Sequence, residues 1–215
     1  YNKLNKDNAN LKIDFDKIYF ENLSISFKNI PIIKYPNFSI NKNEKILLLS
    51  ESGKGKTTLL DILCGFTKSE TGSIYVKKND QRFELNKDLI SYSPQFNLIL
   101  DGTFNQNIDI EINKSSNRYD SEIVNKMFLN NNNILNDISI LQSSGGEKKR
   151  VGILRAILNS HKEKQLIIFD EPTANLDDAN KQIFYNWLDS INNKTIIVAS
   201  HDSNKENHYD KVIYL

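Results

Sequence analysis

Apolar residues along the chain come in short blocks of two kinds. From residue 13 to 27 they alternate with polar ones, first through Ile18 and Phe20, then through Leu23, Ile25 and Phe27. A period of two predicts a strand with one buried face, and a second short strand is expected over 38–40. Residues 46–49, 166–169 and 195–199 are instead unbroken apolar runs. Such runs suit central parallel strands covered on both faces. A helix is predicted over 59–66. Short edge strands are expected over 73–76 and 81–85, and another core strand over 90–93, stopped by Pro94. Residues 96–160 turn polar and helical, with an asparagine run at 130–133, and read as an inserted helical region. Ile183, Phe184, Trp187, Leu188 and Ile191 lie on one face of an amphipathic helix over 180–191. Strand and helix alternation predicts an α/β fold with a parallel sheet. Residues 1–10 are polar and are expected to be a linker. No internal repeat is visible.

The 215 residues suit one α/β domain, or one domain with a small insert. Apolar residues at 39% and charged ones at 26% are enough for a folded core. The formal net charge of +1 argues against a surface built to coat nucleic acid or to adhere strongly to membranes. A single cysteine, Cys64, excludes an internal disulfide framework and a multi-cysteine metal site, and reads as a small buried apolar residue. No apolar run approaches the ~18 to 20 residues that cross a bilayer, and no secretory leader is seen. A start at Tyr1 and an apolar end at 212–215 suggest an excised piece of a longer protein.

The chemistry begins where the first apolar run meets Ser50-Glu51-Ser52-Gly53-Lys54-Gly55-Lys56-Thr57-Thr58. Glycines after a strand and before a helix let backbone N–H groups turn inward around phosphates. The helix then points its positive end at the same anion. Ser52, Gly53, Lys54, Gly55 and Thr58 are expected to line the phosphates. Lys56 should reach the β- and γ-phosphates, and the Thr57 hydroxyl should ligate Mg²⁺. The usual pattern opens with a glycine where Ser50 stands. Serine takes a positive φ less readily, so the opening angle of the loop is an expectation to test. The competing reading is a Gly/Lys-rich surface turn.

Asp170 and Glu171 end the second apolar run, at the sheet edge where open α/β folds bind ligands. Asp170 is expected to hold Mg²⁺. Glu171 is expected to be the general base that polarises the attacking water. Taken alone, the pair is also an ordinary acidic strand end.

The segment Asp170-Glu171-Pro172-Thr173-Ala174-Asn175-Leu176-Asp177 resembles the Walker B motif and D-loop of ATP-binding cassette (ABC) ATPases. Ser143-Ser144-Gly145-Gly146-Glu147-Lys148-Lys149-Arg150 resembles their LSGGQ signature, Gln95 their Q-loop and His201 their switch histidine. Phe27 stands where the family stacks an aromatic on adenine, with a core aromatic as the competing role. The resemblance spans about residues 13–215. It implies a P-loop NTPase (RecA-like) core over 11–95 and 161–215, with an N-terminal antiparallel β subdomain and an inserted α-helical subdomain at 96–160. It implies ATP and Mg²⁺ as cofactors, with Thr57, Gln95 and Asp170 at the metal, and Lys56, Gln95, Glu171 and His201 in catalysis.

The same resemblance implies that Ser144, Gly145 and Gly146 cap the γ-phosphate held by a partner chain. Two ATPs would then be sandwiched in a head-to-tail homodimer or heterodimer, with Asp177 organising the interface. Lys148, Lys149 and Arg150 are left as solvated or interface residues. Ser143 replaces leucine and Glu147 glutamine; the first is expected to weaken local packing, the second to place a negative charge near a polyphosphate.

Residues 98–108 resemble the stretch that follows the Q-loop in exporter-type cassettes. The expected function is therefore ATP hydrolysis driving an exporter at the cytoplasmic face of the inner membrane, with a transmembrane domain fused or separate and no nucleic-acid partner. The Gly/Glu-rich loop that such exporters carry before the signature is missing from 130–142. The rival readings are a weakly hydrolysing regulatory module and a soluble cassette outside transport.

Overall fold

The computed structural model describes residues 14–27, 30–108, 126–127, 144–160 and 164–215. The expectations for the linker, the asparagine run, Ser143 and the segment before the signature lie outside these residues.

Two sheets make the frame. The first is antiparallel and is built around the long strand β1 (Lys17–Phe27). One edge of β1 pairs with β2 (Ile30–Lys34) and β3 (Phe38–Asn41), and the other with β5 (Thr71–Lys78), which pairs in turn with β6 (Gln81–Phe83). The second sheet is parallel, in the order β10 (Lys211–Tyr214), β4 (Lys45–Leu49), β9 (Thr195–Ser200), β8 (Leu166–Asp170), β7 (Ile90–Ser93). Helices among the described residues include α1 (Lys56–Cys64), α2 (Phe104–Ile108), α3 (Gly145–Ser160) and α4 (Asp178–Ser190).

The apolar runs fall on the central strands, and alternate residues of each run face opposite ways. Leu47, Ile167, Phe169, Ile196 and Val198 pack with Val151, Leu154, Phe184 and Leu188 of α3 and α4. Leu48, Ile168, Ile197 and Ala199 pack with Leu59 and Leu63 of α1 and with Ile18 and Phe20 of β1. The parallel sheet is thus the middle layer, which is why its strands are apolar on both faces. Cys64 is buried in the second cluster, and burial pushes its thiol up to about 12. Among the described residues no helix is long and apolar enough to cross a membrane.

The structure differs from the sequence-based expectations at several places. The alternation in β1 changes phase between Phe20 and Leu23 because the pairing with β5 shifts between Glu21 and Ser24. Asn22 sits there at φ 51. Gly72 on the facing strand has φ +77, and a Cβ there would lie 2.3 Å from the Glu21 carbonyl oxygen. An irregularity of this kind lets both halves of β1 bury their apolar face. β5 is longer than the expected 73–76 and lies between two partners, so it is interior rather than an edge. α1 starts at Lys56, three residues earlier than the apolar spacing suggests. The C-terminal half of α3 packs on the parallel sheet through Leu154, Ile157 and Leu158.

Candidate functional site

The loop between β4 and α1 is shaped by two glycines. Gly53 has φ +80 with open space around it, so its conformation alone requires glycine. Gly55 has φ +91, and a Cβ there would lie 2.8 Å from Tyr35 Oη. Tyr35 donates to the Gly55 carbonyl oxygen at 3.0 Å. Burial pushes this phenol up to about 12, so it stays a donor. Ser50 is not among the positive-φ residues. Its backbone therefore needs no glycine, and serine opens the loop without left-handed strain.

Lys56 is 7% exposed. Its Nζ donates to the carbonyl oxygens of Ser50 at 2.7 Å and Glu51 at 3.2 Å, and lies 3.7 Å from Glu171 Oε1. Thr57 Oγ1 donates to Asp170 Oδ2 at 2.7 Å. The other oxygen, Asp170 Oδ1, is buried with no hydrogen-bond partner among the described residues. Burial, the largest influence, raises the Asp170 pKa, while the Thr57 hydrogen bond and Lys149 pull it down.

A buried carboxylate oxygen lacking a donor beside a threonine hydroxyl fits a hard cation. Such a cation would favour the ionised carboxylate that burial disfavours. No group of three or more His, Cys, Asp or Glu side chains is gathered for a metal among the described residues. Mg²⁺ in general keeps several waters and takes substrate phosphates beside one or two protein ligands.

Glu171 follows β8 with φ 47, a left-handed conformation unusual for a residue with a side chain. Its N–H donates to the Ala199 carbonyl oxygen at 2.9 Å, which ties it to the end of β9. Its carboxylate lies between Lys56 and His201, with His201 Nδ1 3.0 Å from Oε2. The carboxylate is 10% exposed and the His201 side chain 67%.

An open cleft of about 350 Å³ joins these parts. Phe27, Ser52, Gly53, Gly55, Lys56, Thr57 and Thr58 line it, with Gln95, Asp170 and Glu171. Phe27 is 42% exposed and is not a core aromatic; Leu23 and Ile25 on the same strand are buried. Lys54, Ser144, Gly145, Gly146 and Asp177 are not in the lining, and His201 reaches it through Glu171.

The signature segment opens α3. Ser144 N–H donates to Glu147 Oε2 at 2.7 Å, and Glu147 N–H donates to Ser144 Oγ at 3.3 Å. This reciprocal cap uses the glutamate at the third position after the serine. Glu147 thus has a structural partner, with Arg150 3.9 Å away. A Cβ on Gly146 would lie 2.9 Å from the Asn175 carbonyl oxygen, whereas Gly145 faces open space. Asp177 caps α4 by accepting from Asn180 N–H at 2.8 Å, and these hydrogen bonds hold its carboxyl below the usual range.

Two residues of the site escape sequence reasoning. Tyr35 carries no motif, and only its burial against the loop reveals it. Lys149 lies in a run of three cations that reads as solvated, yet it is 5% exposed. Its Nζ donates to the carbonyl oxygens of Asp170 at 2.9 Å, Gln95 at 3.1 Å and Pro94 at 3.3 Å. Burial pushes its pKa down to about 8, against the pull of the Asp170 and Glu171 carboxylates.

The family model described as "ABC transporter" matches residues 33–174. The lipoprotein-releasing system ATP-binding protein LolD of Treponema denticola is 33% identical over 187 residues, covering 78% of this chain and 79% of the relative. The lactococcin-G-processing and transport ATP-binding protein LagD of Lactococcus lactis is 30% identical, over 99% of this chain but 31% of its own length. A solved bacterial Atm1-family ABC exporter with ATP bound shares the fold, with a TM-score of 0.82 at 20% identity over 95% of this chain and 38% of that one. A phosphate loop and acidic strand end in one cleft, within a matching family model, identify the chain as a member of the ABC transporter family, an ATP-binding domain with ATPase activity.

Proposed function

We propose that this chain powers an exporter by hydrolysing ATP between two ATP-binding domains. The observation that carries this reading is the division of the site. The cleft gathers the phosphate loop, Asp170 and Glu171, while Ser144, Gly145 and Gly146 stand outside its lining. A second chain in head-to-tail contact would bring that Ser-Gly-Gly helix start to the γ-phosphate. Helix N-termini attract anions.

In this reading Phe27 stacks on adenine, and the loop from Ser52 to Thr58 surrounds the phosphates. Lys56 neutralises charge on the transferred phosphoryl group. Thr57, Gln95 and Asp170 would hold Mg²⁺, which when bound supplies further neutralisation of the β- and γ-phosphates. Glu171 takes a proton from the attacking water. His201 holds Glu171 and contacts the γ-phosphate. The in-line attack passes through a loose transition state, so positioning and charge carry the catalysis.

The exporter assignment rests on residues 98–108. They fold around buried Asn107, whose side chain accepts from Leu100 N–H and donates to the Leu100 and Thr103 carbonyl oxygens. A fused transmembrane domain is suggested by the resemblance of the whole chain to about a third of LagD. The corresponding location is the cytoplasmic face of the inner membrane. Division into a core at 11–95 and 161–215 and a helical unit at 96–160 belongs to the same proposal. The weakly hydrolysing alternative is less favoured at two of its three motives, because Ser50 needs no positive φ and Glu147 serves as a cap, while Ser143 lies outside the described residues.

The test is turnover as a function of chain concentration. Turnover per chain is expected to rise steeply with concentration and then level off, since half of each site comes from the partner. Turnover per chain that stays flat down to high dilution, in a chain that runs as a monomer, would refute completion by a partner.

A further inference from the structure

We infer that Lys149 is a positioning residue that fastens the signature helix to the backbone of two metal-site segments. This rests on the proposed function, in which Gln95 and Asp170 hold Mg²⁺. Lys149 lies in the second turn of α3, five residues after Ser144. Its ammonium has three N–H donors and meets three carbonyl oxygens, those of Pro94, Gln95 and Asp170. Pro94 and Gln95 form the loop after β7. Asp170 ends β8, and its side chain takes the Thr57 hydroxyl. One buried side chain therefore joins the amino-terminal part of α3 to the carboxyl ends of β7 and β8.

The arrangement is specific to a cation on a long stem. Asp170 and Glu171 are both buried carboxylates, and Lys56 alone would leave their charge poorly balanced. Lys149 brings a second buried positive charge from behind, on the backbone side of Asp170. It leaves the Asp170 side-chain oxygens to Thr57 and to a metal. Groups that orient metal ligands without touching the metal commonly change metal affinity about 10- to 100-fold when removed. Glutamine at this position has two donors for three acceptors and no charge. Methionine fills a similar volume and has neither.

The clamp also has a consequence for coupling. Any tilt of α3 that carries Ser144 toward a partner chain pulls on the Gln95 and Asp170 carbonyls. Lys149 thereby transmits the position of the anion-capping helix start to the metal site of its own chain.

The test compares the parent with Lys149→Met and Lys149→Gln by three readouts. The first is binding of a fluorescent ATP analogue without metal. The second is the Mn²⁺ concentration that half-saturates the metal-dependent part of that binding. The third is amide hydrogen exchange over residues 95–97. For Lys149→Met, metal-free binding is expected to stay within about twofold, while the Mn²⁺ half-saturation rises about tenfold or more. Exchange over 95–97 should quicken, and kcat should fall more than the KM for ATP changes. Lys149→Gln should fall between Met and parent. A folded Lys149→Met chain with parental Mn²⁺ half-saturation and parental exchange would overturn the inference. If the methionine variant does not fold, Lys149→Gln, which keeps two donors, decides by the same two readouts. Should the parent itself fail to hydrolyse ATP, the proposed function fails, while the Mn²⁺ and exchange readouts still decide the role of Lys149.

Discussion

Glu171→Gln is expected to lower ATP turnover by about 10²- to 10⁴-fold while ATP binding stays near parental. The side chain sits between Lys56 and His201, with His201 Nδ1 3.0 Å from Oε2. Glutamine keeps the length and the hydrogen-bonding shape but cannot take a proton from water. The left-handed backbone at position 171 is unchanged, because glutamine and glutamate meet the same Cβ cost there. Thermal stability should therefore change little, which separates lost chemistry from lost fold. ATP-bound dimers should accumulate, since the step that would part them is blocked. Steady-state phosphate release and gel filtration with ATP check this. Parental turnover in the variant would remove Glu171 from the role of general base.

Asp170→Asn is expected to separate stability from activity. Asp170 is fully buried, and burial is the largest influence on its raised pKa. A carboxyl whose pKa is higher in the fold than in the unfolded chain favours folding below the unfolded value of 3.8. That stability is lost as pH rises through the folded value. Above the folded value the metal-free chain carries a buried charge that disfavours folding.

Asparagine removes the charge and can still accept from the Thr57 hydroxyl. The metal-free variant should melt no lower than the parent at pH 7. Its turnover at saturating Mg²⁺ should fall by about 10²-fold or more, which is about 2.7 kcal/mol or more of transition-state stabilisation. Melting scans should also show that Mg²⁺ with ATP stabilises the parent more than the variant. A variant with the parental dependence on Mg²⁺ would place the metal elsewhere.

The chemistry of this site is readable where it coincides with local chain geometry. A phosphate loop needs a strand, glycines and a helix start within about a dozen residues, and residues 46–60 hold all three. Asp170 and Glu171 are readable because an apolar run must end at a sheet edge. The three central strands are readable because burial on both faces confines polar residues to the strand ends, such as Thr195, Ser200 and Asp170.

The features that sequence reasoning misses depend on distant partners. β2 contains Pro31, which argues against a strand, yet it lies at the end of its sheet where a missing N–H is tolerated. β10 pairs with β4, about 165 residues earlier, and no local signal marks such a parallel pairing. Phe27 is ambiguous between core and ligand because alternation places it on the buried face, while the chain ends β1 there and leaves it in the cleft. Lys149 is misread for the same reason. A Lys-Lys-Arg run reads as a wet surface, and only carbonyls 21 to 55 residues away make one of them a buried donor.

A working site is expected to take its phosphate loop from one chain and its Ser144-Gly145-Gly146 from another. The direct measurement mixes two inactive variants, Lys56→Met and Gly145→Asp. Gly145 has open space for a side chain, and an acidic residue suits the first turn of a helix, so that variant should fold. Each variant alone should hydrolyse almost no ATP. Mixed in equal amounts and allowed to exchange, half the dimers are mixed, and each of those holds one intact site. Turnover should then recover to about a quarter of the parental value. A mixture of folded, exchanging chains no more active than its separate components would contradict the account.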